Sequence, residues 1–236
     1  NEHLIELNEI SRVLLETGDC GAIYCGRDWT LHGTIIRHNL FHDLSGSDAR
    51  YQNAVYIDDM ASGITVESNL FLRCNWGMLI GGGRDIRIRG NVFADCAKGL
   101  SFDNRGVGWM AKSIADPGSS TLHQRLRAVP IDREPWRTRY PSLTAYLTDR
   151  FGRPAHGVVE GNVFFGTPLG NIADPECVAV RGNAESKERL PSDLLAALID
   201  PGLRTALPDL VPEGAPTGFT AIPVSRVGPR RDRGPQ

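Results

Sequence analysis

The sequence predicts an all-β fold, a right-handed parallel β-helix (a solenoid) in which short strands stack as repeated coils. Three observations support this prediction. A short phrase recurs along the chain, a second strand can be aligned beside it, and the composition combines 26 glycines with only 7% aromatic residues. Many short strands joined by tight turns need such a balance.

The recurring phrase is an asparagine, any residue, and a large apolar residue. It begins at Asn8, Asn39, Asn69, Asn91 and Asn162, so the spacings are 31, 30, 22 and 71. The shortest is about one bare coil, those near 30 contain a loop, and the longest contains an insertion. Equivalent residues of neighbouring coils lie ~4.8 Å apart, which lets the side-chain amides bond as a ladder. We therefore expect Asn39, Asn69 and Asn91 in one column.

A second strand follows each phrase, and in it alternate residues point inward and outward. The aligned segments are 22–24, 54–56, 78–80 and 100–102. In this alignment Tyr24 and Tyr56 share a column with Ile80 and Phe102. That column predicts that both tyrosines are packed in the core.

The repeat divides the chain into four parts. Coils are predicted for 1–106, a helical insertion for 107–155, a final coil for 156–183, and an irregular C-terminal cap and tail for 184–236. The insertion is long enough to cover a groove, and the last coil of a solenoid must be shielded from water. Because the repeat is already under way at Asn1, we expect upstream coils in a longer parent chain.

Composition excludes several classes of partner. The formal net charge of −2 gives no basic face for nucleic acid or an anionic membrane. No apolar run approaches the ~18 residues of a membrane-spanning helix. None of the five cysteines has zinc-ligand spacing, and Cys74 and Cys96 fall in a column predicted to be buried. We expect no metal site and no cofactor.

Carboxylates and arginines gather where the second strand ends. The predicted catalytic residues are Asp19, Asp28, Asp58, Asp59 and Asp103. The coil between Asp58 and Asp103 contributes only the glycines 81–83, which predicts a dent with an acid on either side. Paired carboxylates hydrolyse glycosides, with retention at ~5–5.5 Å, about the spacing of neighbouring coils, and with inversion at ~6.5–9.5 Å, about that of next-but-one coils. Asp58 with Asp103 would suit inversion, whereas Asp58 or Asp59 with Asp19 or Asp28 could suit either outcome.

Each of these residues also has a purely structural interpretation. An aspartate at a strand end commonly caps a turn or pairs with arginine, as Asp59 beside Arg27 would. The cluster as a whole favours function, because the chain supplies aromatic faces nearby that can hold sugar rings, at Tyr24, Trp29, Tyr56, Trp76 and Trp109. The predicted substrate-binding residues are Arg27, Trp29, Arg84, Arg105 and Trp109.

Several segments resemble bacterial right-handed β-helix proteins grouped with glycoside hydrolases, including α-L-fucosidase-like and xylan-active members. The segment 17–29, TGDCGAIYCGRDW, resembles their signature most closely. Further likeness lies in 54–63, 80–85, 126–130, 136–141 and 219–228. The resemblance implies a secreted or periplasmic bacterial protein that acts on carbohydrate.

Three functions remain open at this point. The first is a glycoside hydrolase whose partner is a plant or algal polysaccharide or its oligosaccharides. The second is a polysaccharide lyase that uses Arg27, Arg84 or Arg105 as base, with Asp58 and Asp59 holding Ca²⁺. The third is a glycan-binding or surface protein without catalysis.

Overall fold

The structure, a computed structural model, describes residues 1–46 and 51–228, and these form a mostly-β chain with three parallel sheets. The first sheet contains β1 (Leu4–Glu6), β4 (Thr34–Arg37), β7 (Ile64–Glu67), β10 (Arg87–Arg89), β13 (Gly157–Glu160) and β16 (Val178–Arg181). The second contains β2 (Glu9–Ser11), β5 (Leu40–Leu44), β8 (Leu70–Cys74), β11 (Val92–Ala94), β14 (Val163–Phe165) and β17 (Ala184–Ser186). The third contains β3 (Cys20–Gly26), β6 (Gln52–Asp58), β9 (Trp76–Ile80), β12 (Lys98–Phe102) and β15 (Gly170–Ile172). Neighbours in a sheet are every third strand of the chain, an arrangement compatible with a solenoid.

The main apolar core draws side chains from all three sheets. Ile36 of β4, Phe41 of β5 and Ile57 of β6 belong to one buried cluster. Equivalent residues stack on one another, since the rings of Phe41, Phe71, Phe93 and Phe164 follow at centroid distances of 5.0, 4.7 and 4.7 Å. Parallel in-register pairing places like side chains one strand spacing apart, which explains this stack.

The predicted asparagine ladder is confirmed. The Nδ2 atom of Asn39 donates to Oδ1 of Asn69 at 3.0 Å, and Asn69 donates in the same way to Asn91 at 3.0 Å. The ladder extends to a residue outside the predicted phrases, because Asn162 donates to Asn183 at 2.9 Å. Each buried amide also bonds backbone carbonyls of the turn, so these asparagines satisfy polar groups that would otherwise be buried without partners.

We expect the Asn69→Ala variant to lose about 3 kcal/mol of unfolding free energy or more, since each orphaned buried polar group costs about 1–3 kcal/mol. Asn69 donates to the carbonyls of Ile36 and Glu67, and its own Oδ1 accepts from Asn39. Denaturant unfolding measures the change. Asn8→Ala, at the exposed end of the same ladder, is the control and should cost about 1 kcal/mol. Equal losses in the two variants would contradict this account of the ladder.

The alignment of the second strand is wrong by one residue in the later repeats. The register pairs Tyr24 with Tyr56 and Tyr56 with Leu79, and Leu79 then pairs with Ser101. A slip of one residue exchanges the two faces of a strand. The two tyrosines therefore lie on the outer face of the third sheet, where both line a groove. The prediction of core packing is wrong for Tyr24, which is 55% exposed, whereas Tyr56 is buried as predicted, at 5% exposed, but on this outer face.

The segment between β12 and β13, predicted as an insertion, contains short helices. They are α1 (Ala111–Ile114), α2 (Thr121–Arg127), α3 (Trp136–Arg139) and a 3₁₀ turn at Pro141–Ala145. Leu122, Leu126 and Tyr146 pack in a separate apolar cluster with Trp29 and Met60, which follow strands of the third sheet. This cluster fastens the helical segment to the sheets.

The predicted C-terminal cap begins with β17, which adds a strand to the second sheet, and its later residues pack along the outer face of that sheet. It contains α4 (Ser192–Ile199), α5 (Pro201–Arg204) and a 3₁₀ turn at Val224–Arg226. Leu198 and Ile222 pack in one cluster with Leu40 and Leu70. The segment reaches the first repeat, where Arg204 Nη2 lies 2.6 Å from Glu9 Oε2. The apolar outer face of β5 and β8 explains this course, because it would otherwise be exposed to water.

None of the five cysteines forms a disulfide, and Cys74 and Cys96 are buried as predicted. Among the described residues, no helix has the length and apolar character needed to cross a bilayer.

Candidate functional site

A groove of about 590 Å³ lies on the outer face of the third sheet. Its lining joins carboxylates, arginines and aromatic rings from four successive repeats. These residues are Asp19, Tyr24, Arg27, Tyr51, Tyr56, Asp58, Asp59, Trp76, Leu79, Ser101, Asp103, Arg105 and Trp109. Sequence reasoning had named seven of them as site residues.

The guanidinium of Arg105 is the centre of the site. Its Nη1 donates to Asp58 and, at 2.8 Å, to Asp59 Oδ1. Its Nη2 donates to Asp103 Oδ2 at 2.7 Å. The structure therefore brings three of the predicted carboxylates together, but around a cation and not across an open space.

The expected dent between Asp58 and Asp103 is filled by Arg105. The backbone amides of Gly81 and Asp103 donate to Ile57 and Ile80, which puts Asp58, Gly81 and Asp103 in one column. A Cβ atom at Gly81 would lie 2.6 Å from Cζ of Arg105. Glycine is needed at this position because the guanidinium lies directly on the backbone.

These contacts set the protonation of the central groups. Burial alone would raise the pKa of Asp58, but the hydrogen bond from Tyr24 and the charge of Arg105 outweigh it and hold that pKa below its usual range. Burial by itself would lower the pKa of the Arg105 guanidinium. The hydrogen bond to Asp103 and the negative charge of that carboxylate outweigh burial, so the pKa is raised. Asp58 is therefore ionised, and Arg105 is charged, at neutral pH.

Two tyrosines connect the carboxylate cluster to Asp19. The Tyr24 hydroxyl donates to Asp58 Oδ2 at 2.7 Å, and the Tyr56 hydroxyl donates to Asp19 Oδ1 at 3.3 Å. The two rings meet edge to face with centroids 5.3 Å apart. Burial, followed by the bond to Asp58, raises the pKa of Tyr24 to about 12. Both hydroxyls thus keep their protons and act as donors at neutral pH.

Exposed aromatic rings lie at two edges of the groove. Trp109 is 71% exposed and lies beside Arg105, whose Cζ is 5.6 Å from the ring centroid. At the edge where the strands begin, Tyr51 and Trp76 meet with centroids 5.2 Å apart. Lys98 Nζ lies 3.7 Å from the centroid of Trp76. An exposed ring of this kind offers an apolar face next to polar groups.

Three predicted site residues lie outside the groove. Trp29 is only 2% exposed and packs against His123, Tyr146 and Phe151 of the helical segment, so the prediction that it binds substrate is wrong.

The prediction that Arg84 binds substrate is also wrong. Arg84 is buried, and its Nη2 donates to Asp149 Oδ2 at 2.7 Å, so it holds the helical segment against the sheets. Asp28 accepts from the amide and hydroxyl of Thr30 at 2.8 and 2.7 Å, which caps a turn. Arg27 does line the groove, and its Nε donates to Asp59 Oδ2 at 2.8 Å, as the structural interpretation of that pair expected.

The sequence placed Tyr24, Tyr56 and Trp76 near the acidic cluster but did not include them among the predicted site residues, and it gave no role to Tyr51. The signal that could have found the tyrosines was the register of the third sheet, which the one-residue slip concealed. Tyr51 precedes β6, outside the aligned columns.

Among the described residues, no group of three or more potential ligands is arranged to hold a metal ion.

Comparison with known proteins adds no family to this description. No family model, no curated protein and no solved structure matches the chain. The class of protein is therefore described by its structure alone. It is a mostly-β chain with three parallel sheets, and a groove lined by polar residues and edged by aromatic rings lies on the third sheet.

Proposed function

We propose that this chain is a right-handed parallel β-helix and a glycoside hydrolase that acts on a plant or algal polysaccharide outside the bacterial cytoplasm. The observation that carries the proposal is the gathering of four aspartates in one groove whose edges hold exposed aromatic rings. The repeat of one strand per sheet in each turn of the chain supports the fold. The resemblance of residues 17–29 to a β-helix signature supports both parts.

The four carboxylates differ in their contacts, and these differences support a different role for each of three sets. Asp58 is kept ionised by Tyr24 and Arg105, so it suits the nucleophile or the base that activates water. Within residues 1–46 and 51–228, the side chain of Asp19 accepts from the Tyr56 hydroxyl and pairs with no arginine, so we assign it as the acid that protonates the leaving oxygen. The glycosidic bond breaks as that proton is transferred, and water supplies the hydroxyl of the new reducing end. Asp59 and Asp103 hold Arg105 in place.

The arginine contacts favour the hydrolase over the lyase. A lyase base must lose its proton, and the pKa values of Arg105 and Arg27 are both raised, mainly through their bonds to aspartates, with burial opposing the rise. Arg84 lies outside the groove in a buried ion pair.

A digest of a panel of polysaccharides tests the proposal. We expect saturated reducing ends from the wild-type protein and at least ~10²-fold fewer from the Asp58→Asn variant. Unsaturated products that absorb in the ultraviolet would instead indicate a lyase. Measurable glycan binding without any product would indicate a binding protein.

We expect the Tyr24→Phe variant to shift the acid limb of the pH–rate profile to higher pH. Its hydroxyl donates to Asp58 Oδ2 and stabilises the charged carboxylate, so its removal raises the pKa of Asp58. Rate falls when Asp58 becomes protonated, and this would then occur at a higher pH. Tyr140→Phe, whose hydroxyl contacts Glu2 outside the groove, is the control. An unchanged acid limb in Tyr24→Phe would show that Asp58 does not supply the ionised group.

A further inference from the structure

We propose that the groove binds an uncharged glycan, laid along the strands of the third sheet between the aromatic rings at its two edges. This inference rests on the proposed function, because it names the substrate class of the same groove. Two independent features carry it, the balance of charge in the lining and the positions of the rings.

The charge of the groove disfavours an anionic chain. Its lining holds four aspartates and two arginines, a difference of −2. The guanidinium of Arg105 is already bonded to three carboxylates, so it is not free to bind a carboxylate or sulfate of a ligand. Within the described part of the chain, no cation pairs with Asp19. A uronate or sulfate here would meet like charges in a partly buried site, where repulsion is stronger than in water.

Hydroxyl groups suit the same lining, because each can donate to a carboxylate and accept from a cation. The carboxylates of Asp19 and Asp58 offer acceptors, and Arg27, whose side chain is 66% exposed, offers donors. Lys98 Nζ beside Trp76 places further donors next to an apolar ring. A sugar with hydroxyls at its rim and C–H groups on its face matches this pairing.

The positions of the rings determine how a chain would lie. Trp76 opens strand β9, and Gly81, which is covered by Arg105, follows the end of that strand. Five residues of extended strand cover ~16 Å. The Tyr51–Trp76 pair and Trp109 are thus separated by a distance that several linked sugar rings span and one ring does not. The carboxylates lie between the two edges, so the groove is arranged to hold an internal segment of the chain.

Binding of matched oligosaccharides tests the inference. Titration calorimetry at low salt would compare the binding of two hexasaccharides to the wild-type protein, one uncharged and one built of uronic acid. We expect the uncharged ligand to bind at least ~10-fold more tightly than the uronate. Trp76→Ala and Trp109→Ala should each weaken its binding ~10-fold, the loss expected for one aromatic contact. Leu203→Ala, which changes an exposed apolar side chain outside the groove, should leave it unchanged.

Equal or tighter binding of the uronate would overturn the inference, as would full binding in both tryptophan variants. These outcomes are separable from failure of the hydrolase. Tryptophan-dependent binding of the uncharged ligand without cleavage would support the binding mode and refute the enzyme. Cleavage that depends on Asp58 but not on either tryptophan would support the enzyme and refute the binding mode.

Discussion

The Asp58→Asn variant is expected to lose turnover by ~10²-fold or more while its fold and its glycan binding persist, the scale of a group that acts in proton transfer or as nucleophile. Asp58 is the residue on which the groove's polar contacts converge, since Tyr24 and Arg105 both donate to it. Asparagine keeps an acceptor for these donors but has no charge and cannot take up a proton. The loss should therefore appear in kcat, measured as release of reducing ends.

Asp43→Asn is the matched control for this loss. Asp43 is also a strand carboxylate bonded to an arginine, Arg73, but it lies on the second sheet, away from the groove. It should keep wild-type turnover. Asp19→Asn should fall by the same order as Asp58→Asn, and normal turnover in both groove variants would refute the two-carboxylate mechanism.

Replacement of Arg105 by methionine should destabilise the protein by about 3–5 kcal/mol at neutral pH, because it leaves buried carboxylates without their countercharge. Asp58, Asp59 and Asp103 all accept from this one guanidinium. Denaturant unfolding measures the loss. Arg27→Met is the control, since Arg27 is largely exposed and bonds only Asp59 among the three, and it should cost less than about 1 kcal/mol.

The deficit of Arg105→Met should shrink as the pH falls. In the wild-type protein the pKa of Asp58 is lowered on folding, so its contribution to stability is present above pH ~4 and is lost as pH falls through the folded value. Without Arg105, burial favours the protonated form of these aspartates. Once they are protonated, the unfolding free energy of the variant approaches that of the wild-type protein. A deficit of equal size at pH 7 and pH 3 would show that the loss comes from packing and not from charge.

The repeat was readable from the sequence because a stack places like residues on like residues. The asparagine phrases predicted the ladder, and the apolar residue two positions later predicted the phenylalanine stack. The gathering of Asp58, Asp59, Asp103 and Arg105 followed from the same periodicity. Each of these depends only on a regular spacing of residue types.

The predicted site was wrong in two situations. One was a shift of a single residue in the strand register, and the other was a contact with a segment far along the chain. A slip of a single position assigned Tyr24 and Tyr56 to the core, since the side-chain period of a strand is two. Trp29 and Arg84 carried residue types suited to sugar binding, but segments far along the chain bury them.

By itself the sequence determined the repeating β architecture, the asparagine column and the set of charged residues at one strand end, because all three are properties of local pattern. Only the tertiary structure decided which face the tyrosines occupy, that Arg105 fills the space over Gly81, and that the C-terminal segment covers the second sheet. The physical reason is that these outcomes depend on which side chains from distant parts of the chain exclude water from the same place, and periodicity does not encode that choice.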